Sequence, residues 1–279
     1  MTNEMTSRRI RIADITLNVV DAGRGPAVLL LHGFPDSSRL WRHQIPALVD
    51  AGWRVVAPDL RGFGESDKPA DIAAYALPVV LRDVVALLDE LGIARSHVVG
   101  HDWGASVGWA LAALHPERVD RHVALSVGHL NAIRDAGFDQ REKSWYMLLF
   151  QFADLAEQLL SRDDWAFFRD WVRRHPEADR WVDDLARPGA LTAGLNWYRA
   201  NAAPQTLLMQ RRPLPRVQAP SLGLWSSGDA YLTEAQMIAS AQWQDGPWSY
   251  RRIEGASHWM PLDRPRLINQ LIIEFLRGA

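Results

Sequence analysis

The chain has 279 residues, 48% hydrophobic and 23% charged, which suits one large α/β domain or two small ones and excludes a disordered or fibrous chain. Its 31 Lys and Arg against 33 Asp and Glu leave a net charge of −2, so no overall field or basic run points to nucleic acid. The absence of cysteine excludes disulfides, thiolate metal sites, iron–sulfur clusters and a cysteine nucleophile. The opening residues lack the apolar stretch of a signal peptide, and no apolar run approaches ~18–20 residues, so a cytoplasmic protein without membrane contact is expected. The 13 Trp exceed a usual share of roughly 1–1.5%. They suit either a core or an apolar pocket with N–H donors.

Arg9–Ala13 and Ile15–Val20 predict a hairpin of strands, and Ala27–Leu31 (AVLLL) predicts a strand buried on both faces. A helix over Leu40–Ala51 ends at Gly52, and Arg54–Ala57 is another buried strand before the turn-rich Pro58–Ser66. Leu77–Leu91 has the period of an amphipathic helix and stops at Gly92. His97–Gly100 and Val123–Val127 predict strands on either side of a helix over Ala105–His115. Such alternation predicts a mostly parallel, doubly wound sheet. Between about 130 and 217 only helical stretches occur, including Trp145–Leu160, Asp164–Arg173 and Leu191–Ala200. Strands then resume at Ser221–Trp225 and Trp248–Ile253, and Arg266–Arg277 is a closing helix. The expected division is a core at 1–129 and 218–279 with a helical cap at 130–217.

Gly100-His101-Asp102-Trp103-Gly104 stands between a predicted strand and a predicted helix. Small residues two before and two after the centre permit the sharp elbow that lifts a nucleophile above a sheet. The helix N-terminus behind it favours negative charge there. A simpler role for Asp102 is to cap that helix, but a cap does not need both glycines. An Asp in place of Ser changes the chemistry. Attack on an acyl carbon gives a reactive anhydride, whereas attack on an sp³ carbon gives an alkyl ester, with an oxygen or a halide leaving.

The ester then needs a base and an oxyanion hole. Gly255-Ala256-Ser257-His258-Trp259 puts His258 in a loop after a strand, and Asp229 follows the strand Ser221–Trp225, where a carboxylate can orient that imidazole. Singly, His258 is one of nine histidines and Asp229 is part of a turn. The order Asp102, Asp229, His258 is nevertheless that of nucleophile, acid and base in the α/β-hydrolase arrangement. His32-Gly33-Phe34-Pro35 is either a turn shaped by Gly and Pro or, given the elbow, the source of the Phe34 N–H that joins the Trp103 N–H as oxyanion donors.

At these residues the chain resembles the α/β-hydrolase superfamily over essentially its whole length. HGFP, DLRGFGESDKP, GHDWGA and GASHW, with Asp229, are similar to epoxide hydrolases and their haloalkane dehalogenase relatives. The resemblance implies an α/β-hydrolase fold with Asp102 as nucleophile, His258 as base, Asp229 as acid, and Phe34 and Trp103 as oxyanion donors. Epoxide hydrolases present two lid tyrosines to the epoxide oxygen. The stretches Trp145–Gln151 and Leu195–Ala200 are similar to the segments that carry them, which makes Tyr146 and Tyr198 the expected pair. A leaving halide would use N–H donors instead, from Trp103 and a second Trp such as Trp145 or Trp197. Phe34, Trp103, Trp145 and Trp197 are expected to line the substrate site. Phe34 stands where many dehalogenases carry a halide-holding Asn, and Trp103 where fluoroacetate-type dehalogenases carry Arg.

The expected activity is therefore the opening of an epoxide to a vicinal diol through an ester on Asp102. Haloalkane dehalogenase and a low-turnover ligand-binding protein are the alternatives. A small epoxide and water are the expected partners, in a monomer or a homodimer. No metal cluster or phosphate-cradling glycine loop is visible in the sequence, Arg61-Gly62-Phe63-Gly64 lacking the spacing and strand–helix setting of a nucleotide loop, so no metal or cofactor is expected.

Overall fold

The computed structural model describes residues 7–207 and 212–278; residues 1–6 and 279 of the expected core and 208–211 of the expected cap lie outside them. Eight strands among the described residues carry the architecture: β1 (Ser7–Ile12), β2 (Ile15–Ala22), β3 (Ala27–Leu31), β4 (Arg54–Pro58), β5 (Ser96–His101), β6 (Val119–Leu125), β7 (Ser221–Ser226) and β8 (Trp248–Ile253). They form one sheet in the order β1-β2-β4-β3-β5-β6-β7-β8, antiparallel at β1/β2 and β2/β4 and parallel elsewhere. Val28 through Leu31 of β3 have no exposed surface. Burying each stabilises by about 1.5–3 kcal/mol, which favours the centre of the sheet over an edge for this run.

Three helices alternate with the first strands: α1 (Gln44–Asp50), α2 (Leu77–Glu90) and α3 (Trp103–Leu114). α3 is buried nearly all round, as its run of small and apolar residues requires. The chain passes from β3 to β4 on one side and then returns to β5 on the other. Reversals of this kind open a crevice at the carboxyl ends of the strands, where α/β sheets bind ligands. His32–Phe34 follow β3 and Asp102 follows β5 at that edge. Asp229 and His258 follow β7 and β8 at the same edge.

Among the described residues between β6 and β7 there are helices and no strand: α4 (Leu130–Arg134), α5 (Gly137–Lys143), α6 (Trp145–Leu149), α7 (Leu155–Trp171), α8 (Ala178–Leu185) and α9 (Ala190–Asn201). α10 (Glu234–Ala239), α11 (Met260–Asp263) and α12 (Pro265–Arg277) complete the order.

The sequence pattern misjudged several extents. The helix expected over Leu40–Ala51 is a 3₁₀ turn at Ser38–Trp41 followed by α1. The strand expected at Val123–Val127 starts at Val119, paired with Ser96, and ends before Ser126, whose φ of +68° turns the chain away. The stretch Trp145–Leu160 is broken between α6 and α7, where Asp154 has φ of +63°. α7 is itself interrupted at Arg162–Trp165, with Asp163 and Asp164 in the left-handed region that Asp tolerates.

Candidate active site

Asp102 joins the end of β5 to the first turn of α3 with φ +53° and ψ −122°, a conformation costly for a residue with a side chain. The crowding around it explains the flanking glycine, since a Cβ on Gly104 would lie 2.0 Å from the Leu31 carbonyl oxygen. The Asp102 carboxylate makes no capping bond to α3, so the simpler role for it fails. Its Oδ1 instead accepts the Phe34 N–H at 2.9 Å. That approach requires Gly33, where a Cβ would stand 2.2 Å from Oδ1. The Trp103 N–H opens α3 beside the carboxylate and has no partner within the helix.

The other oxygen, Oδ2, is 3.6 Å from His258 Nε2. His258 Nδ1 donates to Asp229 Oδ2 at 2.8 Å. Asp229 Oδ1 accepts the N–H groups of Tyr231 (2.8 Å) and Leu232 (2.9 Å), so both its oxygens are satisfied although the carboxylate is buried. Burial alone would lower the His258 pKa, but Asp229 and Asp102 outweigh it and push it up to about 10. Burial would raise the Asp229 carboxyl, yet the imidazolium and two backbone N–H groups hold it below its usual value. The His258 carbonyl accepts from His101 Nε2 (2.9 Å) and Ser126 Oγ (3.1 Å). Burial, and then the charge on His258, lower the His101 pKa to about 4, so that ring stays a neutral donor.

Tyr146 on α6 and Tyr198 on α9 are both 2% exposed, with ring centroids 5.9 Å apart. Tyr198 packs edge-on to Phe34 (5.7 Å) and Trp103 (5.1 Å). Tyr146 packs against Phe150 (5.4 Å), Trp171 (5.2 Å) and Tyr231 (5.6 Å). Burial and then the Asp102 charge raise both phenol pKa values well above the ordinary value. Both are therefore protonated at neutral pH.

The two other tryptophans expected at the site differ in their surroundings. Trp145 is 52% exposed and touches Tyr146 edge-on. Trp197 is buried behind Trp103, with its N–H donated to the Arg61 carbonyl at 3.0 Å. The tryptophan that sequence reasoning missed is Trp171, whose indole packs on Phe34 (5.8 Å) and whose buried N–H has no partner among the described residues. Its carbonyl accepts the Tyr231 hydroxyl at 2.6 Å, which ties the helical segment to the loop of Asp229. No motif surrounds either residue; only the contacts reveal them.

Among the described residues no group of three or more His, Cys, Asp or Glu is arranged to hold a metal ion, and no helix is long and apolar enough to cross a membrane. A cleft of about 490 Å³ includes Arg39, Arg42, Asp59, Glu65, Asp184 and Arg187 in its lining but none of the residues above.

A family model described as the alpha/beta hydrolase fold matches residues 26–265. Epoxide hydrolase A of Mycobacterium tuberculosis is 34% identical over 324 residues, covering 98% of each chain. The AB hydrolase superfamily protein YfhM of Bacillus subtilis is 34% identical over 278 residues, covering 95% of each. A solved structure described under novel epoxide hydrolases in metagenomes from hot environments has a TM-score of 0.87 at 30% identity, with both chains covered in full. By sequence and by fold, the chain belongs to the α/β-hydrolase fold family, and its likeness within that family is to epoxide hydrolases.

Proposed function

We propose that the chain is an epoxide hydrolase, with a core at 1–129 and 218–279 and a helical cap at 130–217 that carries the proton donors. The observation that carries this reading is the packing of the buried Tyr146 and Tyr198 rings on each other (5.9 Å) and of Tyr198 on Phe34 and Trp103, the residues flanking the elbow carboxylate, whose far oxygen faces His258 at 3.6 Å. In the first step an Asp102 oxygen bonds to an epoxide carbon and the carbon–oxygen bond of the ring breaks. The freed oxygen takes a proton from Tyr146 or Tyr198.

Ester formation neutralises one of the two carboxylates that keep His258 protonated. The imidazolium then releases its proton, which balances the one lost by the phenol. Neutral His258, held by Asp229, is now a base for water. Water adds to the ester carbonyl, and the oxyanion collects against the N–H groups of Phe34 and Trp103. Its collapse breaks the bond between the carbonyl carbon and the substrate oxygen, which leaves as a hydroxyl of the vicinal diol with the proton that His258 took from water; the carboxyl proton then passes to His258 and restores ionised Asp102. This scheme uses a small epoxide, water and no cofactor.

Halide displacement is the second reading, supported by the buried indole N–H of Trp171, which has no hydrogen-bond partner among the described residues. The test runs styrene oxide and 1-bromobutane in parallel on the purified protein. Diol from the epoxide with little halide is expected. Comparable halide release would favour a dehalogenase, and neither product a ligand-binding protein.

A further inference from the structure

One short stretch of the cap, residues 175–181, grips both loops that flank the reacting atoms. Asp36 lies two residues beyond Phe34 and is 2% exposed. Its Oδ1 accepts Arg180 Nη1 (2.8 Å) and the Ser37 N–H (2.8 Å), and its Oδ2 accepts Arg180 Nη2 (2.6 Å) and Trp181 Nε1 (2.8 Å). Arg180 Nε donates to Glu177 at 2.6 Å, and Glu177 also accepts Arg42 of the core at 2.6 Å. On the other side His175 Nδ1 accepts the Glu177 N–H at 3.1 Å. A neutral ring therefore carries its proton on Nε2, which faces Asp263 Oδ1 at 3.0 Å. Asp263 Oδ2 accepts the N–H of Ser257 (2.7 Å) and its hydroxyl, one residue before His258. Trp181 joins the two grips by stacking on His175 (4.8 Å) and packing on Trp259 (4.5 Å).

We propose that this stretch is a clasp through which the seated cap sets the alignment of the Phe34 N–H and the His258 imidazole, with Arg180 and His175 as positioning residues. The inference rests on the epoxide hydrolase reading. Its chemical consequence is unequal across the two steps. Alkylation asks Asp102 to attack and a phenol to give a proton. In alkylation the Phe34 N–H only keeps the bond it already makes to Asp102 Oδ1, whereas ester hydrolysis needs it against a developing oxyanion and needs His258 against a water. Loosening the clasp should therefore slow hydrolysis more than alkylation. In a two-step reaction with effectively irreversible alkylation, such a change lowers kcat and KM together and leaves kcat/KM almost unchanged. Loss of folded protein does otherwise: kcat falls and KM stays.

Arg180→Lys replaces a fork that spans both Asp36 oxygens by a point charge. His175→Phe keeps the stack on Trp181 and removes the bond to Asp263. Steady-state kinetics and intact-protein mass spectrometry on an epoxide test both, and either suffices if the other does not fold. Misalignment of this kind costs up to about 10²-fold, so kcat should fall between about 10- and 100-fold with a parallel fall in KM, and the Asp102 ester should accumulate. Wild-type kinetics in a folded variant, or a lower kcat at constant KM with no ester, overturns the clasp while leaving the functional reading intact. A wild-type protein that forms no ester from any epoxide overturns the reading itself and this role with it.

Discussion

At the scale of single residues, the carboxylate at the elbow controls its neighbours. Its charge helps to keep Tyr146 and Tyr198 protonated and His258 charged, so in the proposed mechanism conversion to an ester changes the state of His258. That Asp102, Asp229 and His258 lie together was legible because an elbow, a Gly-Asp turn and a loop histidine follow strands in a fixed order along the chain. Trp171 and Tyr231 were not, because they meet through tertiary contacts between α7 and the loop after β7. The phenols carry a direct prediction. Loss of a donor at a developing oxyanion costs ~2.7–4 kcal/mol, or roughly 10²–10³ in rate. Tyr146→Phe and Tyr198→Phe should each slow ester formation by up to that amount, since one donor remains. The double variant should be nearly inactive on an epoxide. Single-turnover ester formation is the measurement, and near-wild-type alkylation by the double variant would remove the phenols from the mechanism.

At the scale of elements, apolar runs marked the strands well because a strand buried on both faces has few other places to go. AVLLL is β3 without adjustment. Boundaries failed where pairing, not composition, decides them, as at Val119 opposite Ser96. Helix breaks at Asp154 and at Asp163–Trp165 rest on positive-φ backbone that no periodicity signals. The turn-rich DLRGFGESDKP was visible as a motif but its purpose was not. Asp59 accepts the N–H groups of Ser38 (2.8 Å) and Glu65 (3.0 Å) and the Asn18 amide (2.9 Å), while buried Arg61 forks onto Asp83 at 2.8 and 2.9 Å. The Arg61 carbonyl then receives Trp197 from α9. The motif is thus a knot beneath the helical segment, and its residues read as polar loop until their partners are known.

At the scale of the molecule, buried histidines set opposite limits on stability. Burial lowers His101 and His129 to about 4 and His122 to about 3, and depresses His32 in the same direction. His122 has neither ring nitrogen hydrogen-bonded among the described residues. The unfolded chain therefore binds more protons below the ordinary histidine value of about 6.5, and stability falls as pH drops from there towards 4. His258 acts the other way. Its raised value means that the folded state holds the extra proton, so its contribution is complete below about 6.5 and is lost as pH rises towards 10. Each group contributes up to about 1.4 kcal/mol per pH unit within its window. Thermal unfolding should show a maximum Tm near pH 6–7, and His258→Gln should flatten the alkaline limb. An alkaline limb unchanged in that variant would contradict the assignment of charge.

The central claim is that Asp102 forms the ester and His258 serves only to cleave it. His258→Gln should still alkylate, because attack by the carboxylate needs no base. Intact-protein mass spectrometry after addition of an epoxide should show one stoichiometric adduct of the substrate's mass, mapping to the peptide that contains Asp102. An adduct on another residue, or full turnover by the variant, would contradict the account.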